Sequence, residues 1–143
     1  MPGSFVAVAH ATIAAPAAEV WTALTDPAVI TRYFHGTTVE SDWAVGSPIT
    51  WSGEMGGTAY QDKGVILVFE PGARLRHTFW SSMTGEPDDP EYYKTVTYDL
   101  AEVDGSTQVT LTQDNNPSQE AADEMVAKGW APILEGLKGV VEE

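Results

Sequence analysis

Asn116-Pro117-Ser118-Gln119-Glu120-Ala121-Ala122-Asp123-Glu124-Met125-Val126-Ala127-Lys128-Gly129-Trp130-Ala131-Pro132-Ile133-Leu134-Glu135-Gly136-Leu137-Lys138-Gly139-Val140-Val141 is the stretch whose reading decides the fold. Its apolar positions (Met125/Val126, Gly129/Trp130, Ile133/Leu134, Leu137, Val140/Val141) step by three or four. Glu124, Lys128, Glu135, Lys138 and Glu142 fall on the other side, the pattern of a helix buried along one stripe. Asn116 is placed to cap it, Pro117 suits its first position, and Gln119 is set to close a capping box. Glu120, Asp123 and Glu124 favour the positive end of its dipole. A helix over 117–141 is about 37 Å long, enough to cross a small domain. Pro132 cannot donate to the Lys128 carbonyl, which predicts a kink. Gly129, Gly136 and Gly139 each cost about 1 kcal/mol of helix propensity against Ala, so they read as notches for close approach or a shaped gap.

Such a stripe needs a large partner, and the rest of the chain supplies a sheet. Runs rich in Thr, Val, Ile, Trp and Tyr predict strands at about 5–14, 36–43, 48–53, 58–70, 73–82, 92–102 and 106–114. Short turns join most of them, with Asp104-Gly105 the clearest hairpin signal, so the pairing should be antiparallel. After the first strand, Pro16 opens a short helix carrying Val20, Trp21 and Leu24, which Asp26-Pro27 ends. Asp26 can cap a second short helix with Val29, Ile30, Tyr33 and Phe34 on its apolar side. The fold class is α+β: a curved seven-stranded antiparallel sheet around a long C-terminal helix, with two short helices after strand 1. All of it fits one domain over 1–143, a length that should bury roughly 70% of the unfolded chain's surface.

Charge narrows the partners. With 21 acidic and 7 basic side chains the formal charge is −14, which repels phosphate backbones and anionic lipid, so neither nucleic acid nor a membrane surface is expected. No cysteine occurs, as suits a reducing cytoplasm, and cytoplasmic location is the expectation. Phe5–Ala9 lacks a basic stretch in front and is cut short by His10, so it reads as a strand rather than a leader.

Alternation then picks the inward face. Taking Leu75 and Leu100 as inward turns His77, Phe79, Val96, Tyr98, Val109, Leu111 and Gln113 inward too, with Ile49 and Trp51 beside them. Residues 65–69 are apolar on both faces, a hint that a second copy covers the outer one and the protein is a homodimer. The inward set is aromatic and apolar with a few polar atoms, the composition of a small-molecule site. Tyr33, Phe34, Trp51, His77, Phe79, Tyr98, Gln113, Met125, Gly129, Trp130 and Ile133 are the candidate ligand-binding residues. Each has a plainer reading: His77 as a hydrogen-bonded core histidine, Gln113 as a partner of a neighbouring loop, Trp130 as a core anchor. The Pro- and acid-rich loop 83–91 joins two long strands and reads as either a solvated hairpin end or a gate at the pocket mouth.

Several chemistries lack their residues. His10, His35 and His77 have no paired ligand spacing, so no metal is expected. No Gly-x-Ser-x-Gly elbow, Walker sequence or Gly-x-Gly-x-x-Gly is present, so no nucleotide or other cofactor is implied. No catalytic motif is recognisable, and the residues favour binding over catalysis.

Ala15-Pro16…Val20-Trp21…Leu24-Thr25-Asp26-Pro27…Tyr33-Phe34, then Val39-Glu40-Ser41-Asp42-Trp43…Gly46, Glu70-Pro71-Gly72-Ala73-Arg74-Leu75 and Gly129-Trp130…Leu134…Leu137 resemble, in order and in spacing, the heat-shock-protein ATPase activator homologues (AHSA) of the START-like, birch-pollen-allergen-like (SRPBCC) superfamily. The resemblance implies a helix-grip fold, β-α-α-β6-α, with a cavity opening near the short helices and strand loops. It also implies a function class, binding or transport of a small hydrophobic ligand (lipid, polyketide or aromatic) between the sheet and the C-terminal helix. Alternatives within the superfamily are a cyclase- or hydrolase-like enzyme using that cavity, with His77 or Tyr98 moving protons, and a chaperone-activator-like interaction module. Activators of that kind carry a further domain ahead of the first strand, so the resemblance carries architecture further than it carries a chaperone partner.

Overall fold

A computed structural model describes residues 3–34, 36–81 and 85–143, apart from the side chain of Met55. The chain runs β1 (Phe5–Ile13), α1 (Ala17–Thr25), α2 (Pro27–Tyr33), β2 (Thr38–Ser41), β3 (Pro48–Met55), β4 (Thr58–Glu70), β5 (Arg74–Ser81), β6 (Lys94–Val103), β7 (Ser106–Asn116), α3 (Gln119–Met125) and α4 (Ala131–Val141). The strands form one antiparallel sheet in the order β1-β7-β6-β5-β4-β3-β2. Chain neighbours are sheet neighbours from β2 to β7, and β1 closes onto β7, which leaves α1 and α2 to span the two edges. The C-terminal helix lies against β1 and β7 and packs on α1 and α2. This is the α+β helix-grip arrangement.

Two-residue alternation sets the core. Leu75 and His77 on β5, Val96 and Tyr98 on β6, Val109, Leu111 and Gln113 on β7, and Ile49 and Trp51 on β3 are all buried on the concave face. On β4 the alternation breaks, because the pairing with β5 slips between Ile66 and Val68. Ile66 points into the core, and beyond the slip Phe69 does too, edge-on to Trp21 at 5.2 Å. A run apolar on both faces is thus partly a bulged strand that changes its phase. Val65 and Leu67 remain 40% and 43% exposed.

The C-terminal helix differs from its sequence reading at both special points. Ser118, not Asn116, is the cap, accepting from the Ala121 N–H at 3.0 Å, so the helix begins at Gln119. Asn116 ends β7 instead, its amide donating to the carbonyls of Phe5 and Gln113 at 3.0 Å each. Gln119 bonds Asp123 rather than reaching back. The kink expected at Pro132 takes the form of one π-helical turn, Val126–Trp130, in which Ala131 donates to Val126. Widening the turn before the proline relieves its clash with the preceding carbonyls. Of the three glycine notches, Gly136 admits the Cβ of Tyr33, to which an added Cβ would come within 3.0 Å. Gly129 faces only the flexible end of Met125, and Gly139 faces open space. At the other end Asp26 caps α2 as anticipated, accepting from Ala28 at 3.0 Å, whereas Pro16 stands just outside α1 as its N-cap.

The acidic loop also departs from one of its readings. Residues 83 and 84 lie outside the described residues, but Pro87 accepts from the Trp80 indole at 3.0 Å and Asp88 pairs with Lys63. Trp80 and Lys63 face each other on the convex side, the Lys63 ammonium 5.6 Å from the indole centre. This part of the loop is held on the outside of the sheet, not across the concave face. Among the described residues no helix is long and apolar enough to cross a membrane.

Candidate functional site

A small cavity lies where α1 and α2 meet the concave face of β2, β3, β5 and β6. Leu24, Ile30, Tyr33, Phe34, Val39, Trp43, Ile49, Trp51, Leu75, His77 and Tyr98 line it. Its volume is about 20 Å³, room for roughly one water molecule. The floor is rigid sheet. The roof is different: Ile30 and Tyr33 come from the seven-residue α2, Phe34 from the cap at its end, and Trp43 from the loop between β2 and β3. Trp43 is half-buried with φ at 55°, a left-handed backbone unusual for a bulky residue, fixed by its N–H donating to Ser41 Oγ at 3.0 Å.

The floor is aromatic because β4 carries Gly64 between two pairs of large neighbours. The Trp51 ring on β3 meets His77 and Phe79 on β5, with centroids 5.0 and 5.1 Å away, although β4 runs between the two strands. No side chain at Gly64 stands in the way, and none fits: an added Cβ would lie 1.8 Å from the Thr78 carbonyl oxygen. That same carbonyl accepts from His77 Nδ1 at 2.9 Å. A carbonyl only accepts, so Nδ1 carries the proton and the neutral ring keeps an acceptor at Nε2. Burial pushes His77 down to about 4, so it is uncharged at neutral pH. Tyr98, whose ring centre is 6.3 Å from that of His77, is held protonated by burial, and so is Tyr33, whose hydroxyl donates to the Ala23 carbonyl at 2.7 Å. Among the described residues the lining therefore presents aromatic surface and uncharged polar groups, with no cation.

The structure brings together five of the residues singled out from sequence, Tyr33, Phe34, Trp51, His77 and Tyr98, and sets Phe79 against the Trp51 ring. Gln113, Met125, Gly129, Trp130 and Ile133 are not in the lining. Gln113 Oε1 accepts from the Trp130 indole at 2.6 Å, and its amide donates to Asn116 Oδ1 at 3.3 Å, a buried node tying helix to sheet. Ile133 is core, and Met125 is half-buried one turn before Gly129. Phe34 links the two groups, edge-on to Trp130 at 6.4 Å. Leu24, Ile30, Val39 and Trp43 were not anticipated as lining. Trp43 had a visible signal, an indole between Asp42 and the turn residue Gly46.

One polar residue on the same face was missed altogether. Asp62 pairs in register with Trp51 on β3 and Ser81 on β5, so it shares their concave side. Ser81 bonds its carboxylate, but Oδ1 is shut off from solvent and has no hydrogen-bond partner among the described residues. Burial raises its pKa. Among the described residues no three His, Asp or Glu side chains gather to hold a metal.

Residues 14–142 match the family model "Activator of Hsp90 ATPase homolog 1-like protein". The solution structure of ChR145 from Cytophaga hutchinsonii is similar, with 42% identity over 99% of this chain and 97% of that one and a TM-score of 0.84. MLL2253 from Mesorhizobium loti (23% identity, 96% of each chain, TM-score 0.77) and CalU16 from Micromonospora echinospora (23%, 99% and 86%, 0.74) share the fold. Comparison with curated proteins gives no match. With the family model spanning nearly the whole chain and the helix-grip architecture in place, the protein belongs to the Activator of Hsp90 ATPase homolog 1-like family.

Proposed function

We propose that the protein binds or carries a small hydrophobic molecule, its apolar body resting on the aromatic floor of Trp51, His77 and Tyr98 beneath α2. The observation that supports this reading most is the contrast between that floor and its roof. The floor is fixed by the sheet, by Gly64 and by the His77 bond, whereas the roof consists of side chains on one short helix and one loop. At about 20 Å³ the cavity accepts a ligand only when α2 and Trp43 move outward, so a minor open conformation does the binding. Among the described residues its polar groups are uncharged and no cation lines it, which disfavours fatty acids and other anions and favours neutral or cationic aromatics. A cytoplasmic setting goes with this reading, in a chain with no cysteine to oxidise. A homodimer through the convex face of β4 would cover Val65 and Leu67, and light scattering on the purified protein measures it.

The enzyme alternative draws on one feature, the Nε2 acceptor of neutral His77, whose ring centre lies 6.3 Å from that of Tyr98, a pair able to move a proton on a bound molecule. Both readings share an experiment. Native mass spectrometry of protein purified gently from a cell extract, followed by extraction, should release a defined apolar compound. Val39→Phe, which fills the cavity, should abolish its retention while the fold persists by circular dichroism. An empty protein whose melting temperature is unmoved by neutral aromatics and lipids would overturn the binding reading, and chemical conversion of the bound compound would favour the enzyme.

A further inference from the structure

We propose that the ligand carries a protonated amine and that Asp62 receives it, making the protein selective for small aromatic amines over neutral or anionic analogues. The inference rests on the binding reading above and adds the ligand's polar group. Three observations converge on it.

The first is position. Trp51 on β3 and Asp62 on β4 sit opposite each other and face the same side, so their Cβ atoms are about 5 Å apart. A ring stacked on the indole therefore has the carboxylate within reach of a two-carbon substituent. The second is the unmet bond. One carboxylate oxygen is removed from water and bonded to nothing among the described residues, while Ser81 engages the group and holds it in place. A buried acceptor left this way costs about 1–3 kcal/mol, which an incoming N–H donor recovers. The third is the surroundings. Trp51 and Phe79 meet at 5.1 Å beside Asp62, and the faces of aromatic rings attract a cation. The formal charge of −14 adds a field that draws cations toward the protein and turns anions away. A neutral hydroxyl would satisfy Oδ1 but would gain nothing from the rings or from the field, so the amine is favoured.

The test uses three probes that share an indole with a two-carbon arm: tryptamine (cationic), 3-ethylindole (neutral) and indole-3-propionate (anionic), titrated calorimetrically at pH 7. Tryptamine should bind at least tenfold more tightly than 3-ethylindole, and indole-3-propionate more weakly than either. Asp62→Asn, which keeps the shape, should remove the preference for tryptamine while changing 3-ethylindole binding less than twofold. Asp104→Asn in the β6–β7 turn removes one negative charge just as Asp62→Asn does and should leave the preference intact, which separates the site from the field. Ser81→Ala, which frees the carboxylate to turn away, should weaken tryptamine alone. Circular dichroism on every variant reports folding. If 3-ethylindole binds and tryptamine binds no better, or if Asp62→Asn leaves the preference standing, this inference fails and the binding reading survives. If neither probe binds the native protein, both fail.

Discussion

The two halves of the concave face are built from the same residue types and finished differently. On the β7 side each side-chain polar atom of Trp130, Gln113 and Asn116 has a partner, with bonds of 2.6 and 3.3 Å within the node and 3.0 Å to the Phe5 carbonyl. On the β3–β6 side Trp51, His77, Phe79 and Tyr98 leave a gap under α2 and, among the described residues, a carboxylate oxygen without a partner. An aromatic with a satisfied N–H and packed flanks is structural. An aromatic beside unfilled space and unmet polar groups is where a ligand has something to gain.

That contrast can be broken from the structural half first. Trp130→Ala removes a buried indole and orphans the Gln113 acceptor, and it should cost about 4 kcal/mol in urea unfolding. Loss of less than about 1 kcal/mol would mean that the node does not hold the helix down.

His77 gives the next effect, with a definite sign. Its pKa falls from the ordinary 6.5 to about 4 on folding, so between those values the unfolded chain binds the extra proton. Stability is then lost as the pH drops through that window, by about 3 kcal/mol in full. Twenty-one carboxylates titrate nearby, so the informative quantity is the difference between the native protein and His77→Gln, measured from pH 7 to 4. The variant should lose less stability on acidification; parallel curves would show that His77 is not buried neutral.

A smaller effect sharpens the boundary between the halves. Gly136 lets Tyr33 of α2 approach the C-terminal helix, and Gly136→Ala would force a Cβ to 3.0 Å from that of Tyr33. Better helix propensity opposes the crowding, so the net cost should be about 1 kcal/mol, accompanied by faster probe entry as α2 lifts. Stopped-flow mixing with 3-ethylindole measures the rate, and slower entry would contradict a roof formed by α2.

The periodicities made much of this visible in advance. The stripe through Trp130, Ile133, Leu134 and Leu137 and the alternation through Leu75, His77, Val96, Tyr98, Leu111 and Gln113 report burial directly, and the structure buries each of them. Three details were hidden because they depend on contacts distant in sequence. Asn116-Pro117 and Ser118 both suit a helix start, and only the bonds of Asn116 to Phe5 and Gln113 decide for Ser118. The double-faced apolar run on β4 reflects a slip in pairing with β5, which its own residues do not mark. The cavity is a remainder of about 20 Å³ left by many packed side chains, so no spacing rule locates it beneath α2 rather than beneath the long helix.

The indole N–H groups offer the most direct test of where a ligand sits. Titrating 3-ethylindole into ¹⁵N-labelled protein and following the tryptophan side-chain resonances compares both halves at once, with Trp80 on the convex face as a reference. Trp51 and Trp43 should shift progressively while Trp130 and Trp80 stay nearly still. Movement of Trp130 with Trp51 and Trp43 unchanged would contradict this and place the binding site beneath the C-terminal helix.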